Sequence, residues 1–437
     1  MVVGEGTNMA ETKTMQIEKK QVDKNKSKSR RITFGVIYLV LAAFIWLVFV
    51  NGTDASVLTT FNMTPGGSSA YMDDWVFSTT KMLSALAFIS AIAGAYQIIR
   101  GFGKFTNGIL ALVVVIFVFS FLAWASSGGS INLAGLLRVT VVRAVPLTLG
   151  AMAGMLCERS GTVNIAIEGM MLTSAFVSTV VASLTNLWFG MLAGVITGGL
   201  IAWIHGVLTI KYKVDHTISG TVINIFATGI TSFLSSKFLQ KTDYQFLNEP
   251  GMFPQIDIPL LSKIPFIGPI FFSHNMYVYA MFILVAILTV ALFSTRWGLR
   301  LRSVGEHPKA ADTLGINVIK TRYMAVILGG MMAGFGGSYF TLGSSGRFDE
   351  MLTAGRGFIA LAAMLFGNYH PVGAMGAGLL FGFFDSLSAK ASILKVPIPS
   401  DFLGMMPYLA TIVVLAGVVG RSQAPAAAGK AYDKESL

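Results

Sequence analysis

The sequence predicts an all-α fold, a polytopic transmembrane helical bundle, and three observations carry the prediction. Of 437 residues, 54% are hydrophobic and only 12% are charged, about half the charged share of a soluble domain. Mean hydropathy is +0.68. Apolar runs of roughly 17–25 residues, long enough to cross a bilayer as helices, recur along the whole length. They lack the alternating polarity over about ten residues that barrel strands show. The single cysteine, Cys157, excludes an internal disulfide framework and a multi-cysteine metal site. A net charge of +11 in a soluble protein would suggest nucleic acid. Here the excess of Lys and Arg in cytoplasmic loops explains it, so the expected partner is the lipid bilayer and no nucleic acid is expected.

Residues 1–31 are polar, carry the run KKQVDKNKSKSRR and lack the apolar core of a signal peptide, so they read as a cytoplasmic basic tail. Spans follow near 32–50, 83–99, 108–125, 136–156, 165–184, 187–209, 217–236, 276–293, 321–341, 356–368, 372–388 and 402–420. With the amino terminus inside, the cytoplasmic segments hold 22 of the 32 Lys and Arg residues, and the tail 421–437 is cytoplasmic too. The segment 356–368 is short for a crossing and is expected as a re-entrant half-helix buried by protein, which leaves about 10–12 spans. Of the two long external loops, 51–81 is rich in Gly, Ser and Thr. The other, 237–275, contains five prolines and the patch IPLLSKIPFIGPIFF. That loop is either a docking surface or a segment packed back on its own external face.

The stretch CERSGTVNIAIEGMM (157–171) is polar between two apolar runs. A charge at mid-bilayer costs about 2.5–3.5 kcal/mol, so Glu158, Arg159 and Glu168 do not face lipid. Either the stretch is an interfacial loop, or it is broken backbone lining a protein cavity. Ser160 and Gly161 suit a break, and Ser160 or Thr162 would cap the helix that follows, aiming free N–H groups at a polar ligand. The form Ser160-Gly161-x-x-Asn164 returns as Ser345-Gly346-x-x-Asp349 after a span of opposite direction, as inverted repeats require. In the basic loop 294–322, Pro308 suits a helix start and Gly315 the position past a helix end. The short helix 309–314 between them needs a partner surface, from its own spans or another protein.

Taken together, ERSGTVNIAIEGMM (158–171) and GEHPKAADTLGINV (305–318) resemble the permease subunits of bacterial ABC importers for nucleosides, within the wider group for simple sugars, branched-chain amino acids and nucleosides. GRGFIALAAMLFGNYHPVGAMGAGLLFGFFD (355–385), with its small residues for close packing, is similar to them as well. The likeness covers about residues 131–420, the permease core; 32–130, with about three spans, is an amino-terminal extension. The resemblance implies a multi-pass protein of the bacterial cell membrane that works by alternating access and catalyses no covalent chemistry. It implies a cytoplasmic ABC ATPase, which binds the ATP and Mg, a second homologous permease, and an extracytoplasmic substrate-binding lipoprotein. No cofactor or metal is expected in this chain. The loop 305–316 is expected to dock the ATPase through Glu306, Lys309, Ala310, Ala311, Leu314 and Gly315. The path for the nucleoside is expected beside Ser160, Thr162, Asn164 and Glu168, with Phe335, Phe340 and Phe358 flanking the second polar break.

Other classes fit less well. No G-x-x-x-x-G-K-[ST] phosphate loop is present, so ATP hydrolysis falls to another chain. Gly343-Ser344-Ser345-Gly346 with His370 has the form of an intramembrane serine protease, but the motif is short and built of common residues. None of the five histidines sits in H-E-x-x-H, and each reads as a packed or interfacial side chain. An ion-coupled secondary transporter needs acidic residues inside spans, where only Glu168 and Asp385 are available; Asp385 reads as a satisfied group facing an external vestibule. A purely structural scaffold does not account for the compact basic loop. An ABC permease for a simple sugar such as ribose keeps the family and changes the substrate.

Overall fold

The computed structural model describes residues 28–68, 70–393, 402, 405 and 423–433. Most of the expected tail 1–31 and the span expected at 402–420 fall outside the described residues. The chain divides into two compact units, one of residues up to 63 with 73–133, the other of 64–72 with 134 onward.

In the first unit, helix α1 (Lys28–Val50) is followed by β1 (Leu58–Asn62), β2 (Trp75–Ser78), α2 (Thr79–Ile99), α3 (Thr106–Ala125) and β3 (Ser130–Asn132). Helix α1 starts earlier than hydropathy suggests. Its first turn is held by polar contacts, Arg30 Nη2 donating to Asn107 Oδ1 at 2.7 Å. Helices α1 and α2 meet at Gly35 and Gly94; a Cβ on Gly94 would lie 3.1 Å from the Gly35 carbonyl oxygen. The loop 51–81 is not plain coil. Strand β1 pairs antiparallel with β2 and parallel with β3. Phe61 is fully buried between the rings of Phe77 and Phe119, at 5.1 and 5.2 Å. Val40, Leu47, Ile92 and Val115 are exposed, as side chains facing lipid are.

The second unit contains α4 (Leu133–Arg159), α5 (Ile167–Leu184), α6 (Leu187–Gly206), α7 (His216–Leu234), α8 (Ile267–Phe271), α9 (Met276–Ser294), α10 (Arg296–Glu306), α11 (Pro308–Thr313), α12 (Val318–Ser338), α13 (Arg356–Phe366) and α14 (Pro371–Ile393). Ten described helices are long and apolar enough to cross a membrane. With 11 residues, α13 is about 16 Å long, half of a roughly 30 Å hydrocarbon core, in keeping with a half-helix. Helices α4 and α12 form the centre: 83% and 72% of their apolar windows are buried, against 22% for the span containing α7. Small residues allow this. Gly329 lies on Ala153 and Cys157 while Gly336 lies on Leu149, so α4 and α12 run antiparallel. A Cβ on Gly198 of α6 would stand 2.2 Å from the Gly330 carbonyl of α12, so these two backbones touch.

The loop 237–275 folds back on its own face. Strand β4 (Gln255–Asp257) pairs with β5 (Ser273–Asn275), the Phe253 amide donates to the Leu342 carbonyl at 2.9 Å, and Phe253 and Ile270 are buried. Leu260 and Met252 stay exposed.

Candidate functional site

Helix α4 ends at Arg159 and α5 begins at Ile167, so the polar stretch is broken backbone. The Ser160 hydroxyl donates back to the Cys157 carbonyl at 2.7 Å. Gly161, at φ +94°, turns the chain where a side chain would be strained and would meet the Arg322 guanidinium. Neither Ser160 nor Thr162 caps α5. Asn164 instead closes a turn before the helix, its Oδ1 accepting from the Ala166 amide at 3.0 Å while its Nδ2 approaches Cys157 Sγ and Met170 Sδ. The reason is reach: Ser160 and Thr162 sit too far before the helix start, and the cap position falls on Ala166, whose side chain cannot accept a hydrogen bond. Ser160, Thr162 and Asn164 are all fully buried.

Neighbouring helices satisfy the rest of the break. The Val163 amide donates to His216 Nδ1 at 3.0 Å, and the Val163 carbonyl lies 3.0 Å from His205 Nε2. Asn224 of α7 accepts from the Gly169 amide at 2.8 Å and donates to the Ile165 carbonyl at 2.9 Å. At the end of α4, Glu158 accepts from the Tyr369 hydroxyl at 2.7 Å. Arg159 donates to the Tyr369 carbonyl and lies over the rings of Phe293 and Tyr369. The charges expected to avoid lipid are therefore held by protein.

A second break follows α12, which closes in a π-helical turn (Tyr339–Ser345) at Gly346, φ +71°. Ser345 Oγ donates to the Phe340 and Arg347 carbonyls. His370, stacked on Phe293 at 4.7 Å, lies past the far end of α13, so Ser345 and His370 form no nucleophile–base pair. The two breaks meet at Glu168. Its Oε1 accepts from the Thr353 hydroxyl at 2.6 Å and the Gly355 amide at 2.8 Å, and its Oε2 from the Gly357 amide at 2.6 Å. One buried carboxylate in the first turn of α5 thus caps the start of α13, where free N–H groups and the helix dipole favour negative charge. A Cβ on Gly357 would stand 2.6 Å from the Glu168 backbone, so the two helix starts are in contact.

Of the aromatic candidates, Phe335 packs on Tyr277 with centroids 4.8 Å apart, and Phe340 is buried beneath the Arg356 guanidinium at 5.7 Å. Phe358 is exposed. Asp385 forms an ion pair with Arg143 at 2.7 Å. The sequence offered no signal for that partner.

The short helix α11 starts on Pro308, with the His307 side chain capping it, and ends before Gly315 at φ +80°. Glu306, Lys309, Ala310, Leu314 and Gly315 are exposed, Leu314 at 82%. Ala311 faces the other way and is buried among Val304 and Val318. It anchors the helix, because on so short a helix only one face can be free. Gly305, just before, touches the first break: a Cβ there would lie 2.3 Å from the Arg159 carbonyl oxygen. Residues 425–433 form a strap across both. The Ala427 amide donates to the Gly305 carbonyl at 2.9 Å and the Gly429 amide to the Gly161 carbonyl at 3.0 Å. Ala426 donates to Glu306, the buried Arg322 donates to the Lys430 carbonyl, and Lys213 pairs with Asp433.

A central pair of antiparallel, broken helices is a recurrent way of building transport sites in membranes. The family model for the permease component of branched-chain amino acid transport systems matches residues 136–416, and the chain belongs to that family. It is 43% identical to the guanosine ABC transporter permease protein NupQ of Bacillus subtilis, over 68% of this chain and 95% of that one. It is also 43% identical to the nucleoside ABC transporter permease protein NupC of Lactococcus lactis, over 67% and 95%. A putative glucose ABC transporter permease of Haloferax volcanii is 32% identical over 69% and 98%. No solved structure matches. The chain is a multi-pass membrane transporter subunit and not an enzyme. As a class, such permeases act with ATPase subunits, a substrate-binding protein and a second permease.

Proposed function

We propose that this chain is the nucleoside-translocating permease of a bacterial ABC importer, placed in the cell membrane with both termini cytoplasmic. The observation that carries the substrate is the 43% identity to two permeases named for guanosine and nucleosides, against 32% to the one named for glucose. ATP and Mg are bound by a cytoplasmic ATPase that docks on Glu306, Lys309, Ala310, Leu314 and Gly315. A homologous permease completes the pathway, and a lipoprotein outside delivers the substrate.

Coupling follows from contact. Gly305 rests on the carbonyl of Arg159, and the strap joins the Gly305 and Gly161 carbonyls through its own amides. A displacement of α11 by the ATPase therefore reaches the first break through backbone, without a flexible side chain between. Glu168 carries it on to α13. Asn164 and Glu168 serve the solute by holding the broken helices in register.

The test is uptake of labelled guanosine, uridine, ribose and glucose into cells with and without the gene, with a proton uncoupler present and ATP kept high. Loss of guanosine uptake on deletion, insensitive to the uncoupler, is expected. Collapse of uptake with the uncoupler would replace the reading with an ion-coupled transporter. A loss confined to a sugar would keep the family and change the substrate.

A further inference from the structure

Three charged side chains, Arg143 and Asp385 within helices long and apolar enough to cross a membrane and Arg356 at the start of α13, are neither buried nor free. Arg143 lies ten residues into the 27-residue α4, about 15 Å from one end and 24 Å from the other at 1.5 Å per residue. It pairs with Asp385 of α14 at 2.7 Å, and Arg356, the first residue of α13, approaches the same carboxylate oxygen at 3.9 Å. Their side chains are 30%, 37% and 32% exposed. The cluster is built. Gly378 and Gly382 of α14 lie against Thr148, Ala144 and Thr140 of α4, so closely that a Cβ on Gly378 would be 2.6 Å from the Thr148 hydroxyl. Asp385 follows one turn later, beside Arg143. Arg356 is steadied by Phe340 beneath it and by the Leu352 and Thr353 carbonyls, to which it donates.

Exposure within a span leaves lipid or the polar path, which a homologous permease completes on the reading above. Lipid is excluded by the cost of a charge at mid-bilayer, about 2.5–3.5 kcal/mol for each such residue. The first break offers no alternative path lining, because Ser160, Thr162 and Asn164 are sealed. Two cations and one anion make the site net positive, yet it keeps an acceptor.

We propose that Arg143, Arg356 and Asp385 form a solute-binding subsite on the translocation path, taking a neutral polar solute that offers both donors and acceptors. On the nucleoside reading above, on which the choice of solute rests, ribose hydroxyls or base N–H groups donate to Asp385. Base carbonyl or ring-nitrogen acceptors receive the guanidinium donors. A purine carrying a carbonyl suits the two arginines better than a pyrimidine, since its acceptor pair can take a bidentate guanidinium contact. The subsite provides binding and selection only.

The experiment uses the full-length chain in its assembled transporter, with D385N, R143K and the exchanged pair R143D/D385R. Uptake of labelled guanosine and uridine is measured beside the amount of assembled complex and its basal ATPase rate. Loss of one hydrogen bond to a charged group predicts for D385N a fall of about 10- to 100-fold in guanosine uptake efficiency. Assembly and ATPase rate stay unchanged, and the guanosine-to-uridine ratio shifts. R143K keeps the charge but loses the fork, so guanosine falls more than uridine. The exchanged pair assembles but does not transport. Restored uptake in the exchanged pair would reduce the cluster to a structural ion pair and overturn the proposal, as would losses in D385N that merely track lost complex. If the unaltered protein moves a sugar and no nucleoside, the nucleoside reading fails by itself. The subsite then stands or falls on whether D385N raises the KM for that sugar.

Discussion

The two helix breaks are built alike and used differently. Each follows a central helix, each turns on a glycine at positive φ, Gly161 and Gly346, and each has a serine just before it bonded to backbone. The first break is sealed, with Ser160, Thr162 and Asn164 fully buried. The second is open, with Arg347, Glu350 and Met351 exposed and Arg356 at the edge of α13 half-exposed. Polarity within a membrane span therefore has two separate causes. Broken backbone needs partners whether or not a solute passes, and a solute path needs polar groups that stay accessible.

Four changes probe that difference. The largest effect is expected for E168A, which removes three hydrogen bonds to the α13 start. At about 1.5–3 kcal/mol for each bond to a charged group, partly non-additive, the loss should be at least ~3 kcal/mol. Thermal unfolding in detergent should show it as a large fall in Tm, with E168Q intermediate. A full Tm with abolished uptake would instead return Glu168 to the solute path. Next, G305V forces a side chain into the Arg159 carbonyl, an overpacking effect of about 1–3 kcal/mol. ATPase activity should persist while uptake is lost, and equal losses of both would remove Gly305 from coupling. N224A strips partners from the Gly169 amide and Ile165 carbonyl, about 1–3 kcal/mol of stability, with the substrate ratio unmoved; a change in guanosine-to-uridine ratio would show that the first break does select.

The smallest effect belongs to Asp215, at the exposed start of α7. The Ile218 and Thr217 amides hold its carboxyl below the usual carboxylate range. A lowered folded-state value stabilises above the ordinary range, and the contribution fades as pH falls through the lowered value. D215N should leave uptake at neutral pH unchanged, lower stability slightly at neutral pH, and converge with the unaltered protein as pH falls through the lowered carboxyl value. Equal stability of the two proteins at neutral pH would show that the Asp215 charge adds nothing to the cap.

The spans were legible because hydropathy sums over eighteen or more residues, and α11 because Pro308 and Gly315 mark its two ends. The half-length of α13 was legible for the same reason. What the sequence could not display were contacts between distant single residues. Glu168 meets Gly355 and Gly357, which lie 187 and 189 residues away, and no periodicity encodes such a pair. A cap of α5 was expected from Ser160 or Thr162 because composition shows which residues can cap, and only backbone geometry shows that the cap position falls on Ala166. Ala311 reads as one more small residue on a smooth face until α10 and α12 are folded against it. Residues 425–433 carry no pattern of their own, since a strap draws its conformation from the carbonyls it crosses.

That strap gives the molecule a calendar. Ala426 and Glu306, which it joins, are 120 residues apart, and chains grow at about 5–20 residues per second, so roughly ten seconds separate the emergence of α11 from the arrival of its clamp. During that interval α11 is present without its clamp, and only the contact of Gly305 with Arg159 and the Gly161 amide ties it to the first break. A nascent chain stalled before residue 423 would hold the protein at that age.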